Sequence, residues 1–80
     1  MLNKNNLFAI ISKALKVPKK NINMKLKLGD LEEWDSLGHL EILFKIDKET
    51  NGKASKIKNL SNSTSIKKIY ENLKKNKLIK

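Results

Sequence analysis

Cysteine and arginine are both missing from these 80 residues, and proline occurs once. Without cysteine there is no disulfide, no thiolate zinc site and no thiol nucleophile, a composition that suits a reducing compartment. Without arginine, all eighteen cations are lysine, and the side chain that forks onto phosphates and reads guanine edges is gone. No helix-turn-helix, zinc or aromatic RNA-binding signature accompanies the lysines, so no nucleic-acid partner is expected. Long apolar runs are lacking too. "LFAII", from Leu7 to Ile11, is too short for a signal core and far too short to span a bilayer, so the expected location is the cytoplasm with no membrane span. On that expectation the sequons at Asn59 and Asn62 are ordinary loop composition.

A formal charge of +10 remains to be explained. Clustered cations would ordinarily point to a polyanion, but here the charge is divided. Residues 30–49 hold seven carboxylates against Lys45 and Lys48, a net of −5, while the other sixty residues hold sixteen lysines against Glu71, a net of +15. The acids gather around one serine, in "EEWDSLGHLEIL" from Glu32 to Leu43.

At this length a single domain is expected, expected also to be a monomer, and a helical bundle is the economical way to build its core. Leu7, Ile10, Ile11, Ala14 and Leu15 recur at helical spacing, predicting a first amphipathic helix capped by Asn3 or Asn5. It should stop near Lys16, because Val17 precedes Pro18. From Pro18 to Trp34 no period persists, although Ile22, Met24, Leu26, Leu28 and Leu31 are frequent enough to pin a loop to the bundle. "MKLKL" alternates, but a lone strand needs a partner, so an extended loop is the preferred reading.

A second helix is predicted over about 36–50, capped by Asp35 or Ser36 and ended by Asn51 and Gly52. At about 100° per residue, Ile42, Leu43 and Ile46 share one side with Leu40 at its edge, and Leu37, Glu41, Phe44, Lys45 and Lys48 fall on the other. Ile57 and Leu60 suggest a brief third helix. Ile66, Ile69, Tyr70 and Leu73 predict a final one, capped by Ser63 or a neighbour, before a frayed "KKNKLIK". The fold class is therefore all-α: three main helices, a short extra one, and a long loop between the first two.

Three chemistries could use Ser36. Hydrolysis with His39 as base lacks an acid to orient the imidazole, an oxyanion hole and a G-x-S-x-G elbow, so His39 reads better as a partly buried helix residue. A helix cap is the plainest role for Ser36. The third is attachment: a phosphate ester on Ser36 would sit at a helix N-terminus, where unpaired amides and the helix dipole favour an anion.

"DSLGHLEIL" resembles the D-S-L-x-x-x-E signature of acyl carrier proteins. The likeness covers nearly the whole chain: its length, a first helix ending in "KVPKK", the long loop, the "LGDLEEWDSL" approach, and a short third and longer fourth helix. The resemblance implies an acyl-carrier-like bundle, with phosphopantetheine from coenzyme A attached covalently to Ser36 and Asp35 helping the transferase and its magnesium engage. Leu37 and Glu41 match docking positions of the family, whose second helix is the surface its enzymes recognise; Phe44, which the wheel independently turns outward, joins them. The implied partners are a phosphopantetheinyl transferase, an acyl-loading ligase or transferase, and acyl-accepting enzymes. The chain itself is expected to be no enzyme, and no metal site is expected.

The chain departs from the family in charge. Carriers of fatty-acid synthesis are typically acidic, and Lys45 and Lys48 stand where the family's second helix is neutral or acidic. Like charges weaken docking to the basic patches of ordinary partners, so a specialised pathway for acyl or aminoacyl cargo is expected rather than bulk fatty-acid synthesis, with Lys45 and Lys48 among the partner-contacting residues. The alternative is an unmodified helical interaction module of the same fold, binding a protein or a polyanion through its lysine-rich faces.

Overall fold

The computed structural model describes residues 2–80. Its first helix, α1, spans Lys4–Leu15. Asn3 starts it through a reciprocal pair: its side chain accepts from the Asn6 amide at 2.7 Å, and the Asn6 side chain accepts from the Asn3 amide at 3.0 Å, which satisfies donors a helix start leaves orphaned. Lys16, left-handed at φ 59°, ends it before Pro18. All five apolar residues of the predicted stripe are buried.

The second helix, α2, covers Ser36–Glu49. Thr50 closes it, its hydroxyl donating to the Ile46 carbonyl at 2.9 Å and accepting the Ala54 amide at 3.1 Å. Asn51 and Gly52 then turn the chain at positive φ, 56° and 83°. The expected short third helix is a single 3-10 turn, Ala54–Lys56. The last helix, α3, spans Ile66–Lys75 and buries Ile66, Ile69 and Leu73 completely. Its cap is Ser65, which accepts from the Lys68 amide at 3.2 Å. Ser63 is buried instead, its hydroxyl donating to the Asn59 carbonyl and accepting from the Asn72 side chain.

Helix directions follow from their neighbours. Leu15 at the end of α1 lies against Gly38 near the start of α2, and Asn6 and Glu49 share a depression at the other end, so α1 and α2 are antiparallel. The start of α3 is tied to the long loop: the Leu28 amide donates to the Thr64 carbonyl at 2.7 Å and the Ile66 amide to the Leu26 carbonyl at 3.0 Å. "MKLKL" thus has a partner after all, across an antiparallel bridge of Lys27 with Ser65; the partner is remote in sequence. The loop also carries a 3-10 turn, Lys19–Asn21, and buries Ile22, whereas Leu28 stays partly exposed.

The C-terminal segment differs from the frayed end expected of it. Ile79 is buried and pairs in parallel with Leu2, the Lys80 amide donates to the Leu2 carbonyl at 2.9 Å, and the Tyr70 hydroxyl donates to the Lys80 carbonyl at 3.0 Å. Lysine density predicted solvation, but the adjacent Leu78 and Ile79 hold the segment to the core. Among the described residues the architecture is all-α, three helices and two 3-10 turns without a regular strand, measuring 29 × 22 × 20 Å. Among them too, no helix is long and apolar enough to cross a membrane.

Candidate functional site

Trp34 positions the start of α2. Its side chain is completely buried, and its indole N–H donates to Nδ1 of His39 at 3.1 Å. Indole nitrogen is a donor only, so Nδ1 is the acceptor and the proton sits on Nε2, which donates to the Ser61 carbonyl at 2.9 Å. One imidazole therefore ties the loop before α2 to the segment before α3. Both ring nitrogens are committed, which leaves none to act as a base toward Ser36.

Gly38 permits the close approach. A Cβ there would collide with the Glu33 carbonyl oxygen and come within 2.9 Å of Leu15 Cδ2. The absent side chain lets the acidic loop and α1 both press on the first turn of α2.

Within that turn, Asp35 is the cap: one carboxylate oxygen accepts the Gly38 amide at 2.9 Å, and the Asp35 carbonyl accepts the His39 amide at 2.8 Å. Ser36 follows, exposed. Among the described residues its hydroxyl makes no hydrogen bond, and neither the Ser36 nor the Leu37 amide has an acceptor. The structure thus separates two roles that the sequence left open, giving the cap to Asp35 and leaving Ser36 a free hydroxyl at the positive end of the helix.

The outward face of α2 carries Leu37, Leu40 and Phe44, exposed by 73%, 61% and 67%. Glu41 and Lys48 are exposed beside them. Leu40 had been expected at the edge of the buried side; it is instead part of an exposed stripe at i, i+3 and i+7. The helical period held the signal, since Leu37, Leu40 and Phe44 fall within one arc, but nothing in the local pattern marks which edge meets a neighbour. Lys45 lies elsewhere, half-buried and facing α1 in the depression it shares with Lys13, Lys48 and Glu49.

Alongside the stripe runs an open groove of about 670 Å³ between α2 and the turn at Ala54–Lys56. Leu40, Leu43 and Phe44 form one wall; Ile57 and Leu60 face them, with Lys58 and Asp47 among the polar lining. Ile57, Lys58 and Leu60 are site residues that the sequence suggested only as a helical turn. Asp35, Ser36, Leu37, Glu41, Phe44 and Lys48 are thus all exposed along α2 and its cap, with Lys48 also at the edge of the depression against α1 that holds the half-buried Lys45. No protein-family model, no curated protein and no solved structure matches the chain.

Proposed function

We propose that the chain is an acyl carrier whose Ser36 holds a covalent phosphopantetheine arm. The observation that carries the reading is the free, exposed Ser36 hydroxyl on the first residue of α2, with two unpaired backbone amides beside it and the cap supplied by Asp35. A phosphodiester fits that position, because the amides and the dipole favour an anion and no internal bond of Ser36 need be broken. Such an arm supplies a terminal thiol that holds acyl or aminoacyl groups as thioesters, chemistry a cysteine-free chain cannot supply itself.

The residues of the chain do the rest. Asp35 keeps the first turn formed and has a second carboxylate oxygen available to a transferase. Leu37 and Phe44, with Glu41 and Lys48, offer apolar anchors amid charge to loading and accepting enzymes. The groove begins at Leu40, about one helical turn from Ser36, and its apolar walls suit an acyl chain. The charge along the outward face of α2 changes sign from Glu41 to Lys48, which supports a dedicated pathway, in the cytoplasm, rather than bulk fatty-acid synthesis.

Intact mass after incubation with coenzyme A and a broad-specificity phosphopantetheinyl transferase tests the reading. One phosphopantetheinyl group should be gained, and Ser36→Ala should gain none while unfolding at the same temperature. No gain with several active transferases overturns the proposal and leaves the unmodified interaction module.

A further inference from the structure

Six of the eighteen lysines meet at one end of the body, where few acids answer them. Because α1 opposes α2 and α3 is tied at its start to the loop before α2, the first turn of α1 and the last turns of α2 and α3 converge on the end farthest from Ser36. Leu2 and Ile79 pair there, beside a depression lined by Glu49, Thr50, Lys53, Lys77 and Leu78. Lys4, Lys53, Lys74, Lys75, Lys77 and Lys80 are all exposed at this pole. Two of them share one ring: the ammonium groups of Lys4 and Lys74 stand 5.5 Å and 5.6 Å from the centre of Tyr70.

Glu49 is the carboxylate at this end, Asp47 being turned to the Ser55 amide at 2.9 Å. The opposite pole carries Asp30, Glu32, Glu33 and Asp35 against Lys16, Lys25, Lys27, Lys67 and Lys68, so acids and bases nearly balance there. Lysines in a last helical turn are stabilised by the dipole of their own helix, and that accounts for Lys74 and Lys75. It does not account for Lys4, which sits at the positive end of α1, nor for Lys53 and Lys77, which lie outside the helices.

We infer that this basic pole seats on an anionic lipid bilayer and holds the protein with its Ser36 end directed away from the surface. Lysine ammonium groups are point charges attracted by a negatively charged membrane surface within about a Debye length. A nucleic-acid strand is the poorer occupant, since the pole offers no arginine and its one aromatic ring is already engaged by two ammonium groups. The Ser36 pole, where carboxylates and lysines nearly balance, gains no such attraction, so the uneven charge fixes orientation as well. The inference does not depend on the carrier reading; if both hold, an arm on Ser36 faces soluble enzymes while the body is tethered.

The unmodified full chain tests it by co-sedimentation with vesicles of phosphatidylglycerol and phosphatidylcholine, against vesicles of phosphatidylcholine alone. Lys4→Gln/Lys74→Gln/Lys75→Gln should lower partitioning into anionic vesicles on the order of a hundredfold. The control Lys16→Gln/Lys25→Gln/Lys27→Gln removes the same charge near the Ser36 end and should stay within about threefold of the parent. A fluorophore on Lys77→Cys should shift on binding and one on Glu32→Cys should not, the chain having no other cysteine. No partitioning at low salt, equal losses in the two triple variants, a shift only at position 32, or RNA binding in place of vesicle binding would each overturn the inference. Circular dichroism melts establish that every variant is folded.

Discussion

Ile42 and Phe44 stand two residues apart on the same helix, both large and apolar, yet Ile42 is wholly buried and Phe44 keeps 67% of its surface. The two faces of α2 extend that contrast. On the inner face Gly38, His39, Ile42 and Ile46 meet α1, the acidic loop and the segment before α3; on the outer face Leu37, Leu40 and Phe44 meet water and an open groove. Burying an apolar side chain is worth about 1.5–3 kcal/mol, and a chain of this size has a total stability of about 4–12 kcal/mol. Three large apolar residues left in one exposed stripe are therefore a considerable forgone stabilisation. Exposed apolar stripes of this kind mark interaction surfaces in folded proteins.

The sharpest way to break the contrast is from the inner side. Trp34→Ala removes the buried indole and strands His39 Nδ1 without its donor, so unfolding should become easier by about 3–5 kcal/mol in denaturant titration. A midpoint close to that of the parent would show that Trp34 does not hold the start of α2. Trp34→Phe, which keeps an aromatic body but not the N–H, should cost less.

Gly38→Ala is the next largest. Helix propensity alone favours alanine by about 1 kcal/mol, but the new Cβ meets a backbone carbonyl of Glu33 that cannot rotate away. Overpacking of this kind costs about 1–3 kcal/mol, so a net loss of stability is expected in thermal melts. A gain would mean that the acidic loop yields readily and that its closeness to Ser36 is not built in.

The smallest effect on folding is expected on the outer face. Phe44→Ala should change stability by no more than about 0.5 kcal/mol. In the carrier reading it should weaken an acyl-loading or acyl-accepting partner on the order of tenfold, since exposed aromatic anchors dominate such interfaces. A large fall in melting temperature would instead make Phe44 part of the core and erase the distinction between the faces.

The helices themselves were legible because their signals are local. The α1 stripe, an asparagine cap at Asn3 or Asn5, the Pro18 stop, and Asn51 with Gly52 after α2 all act within a turn or two of the residue they govern. Leu37 and Phe44 could be placed outward from angle alone. Other features depended on contacts between remote segments. Nothing near "MKLKL" announces that Thr64 to Ile66 will pair with it, and nothing near Ile79 announces Leu2. Ser63 and Ser65 are equivalent caps by residue type; the hydrogen bonds of Ser63 to Asn59 and Asn72 inside the fold decide between them. Trp34 gave no periodic signal because it lies in a loop, and its buried indole is held by His39, which is itself tied to Ser61.

Local pattern was enough to locate the three main helices to within a few residues, the clustering of acids at residues 30–49, and Ser36 at a helix start beside Asp35. Each of these follows from backbone hydrogen bonding and side-chain type over a few neighbouring residues. Packing in three dimensions settles that Asp35 alone caps α2, that Leu40 is exposed while Ile42 is buried, that Lys45 faces α1, and that lysines from both ends of the chain meet at one pole. Burial and the meeting of charges are set by chain direction and by neighbours far away in sequence, which no local pattern specifies.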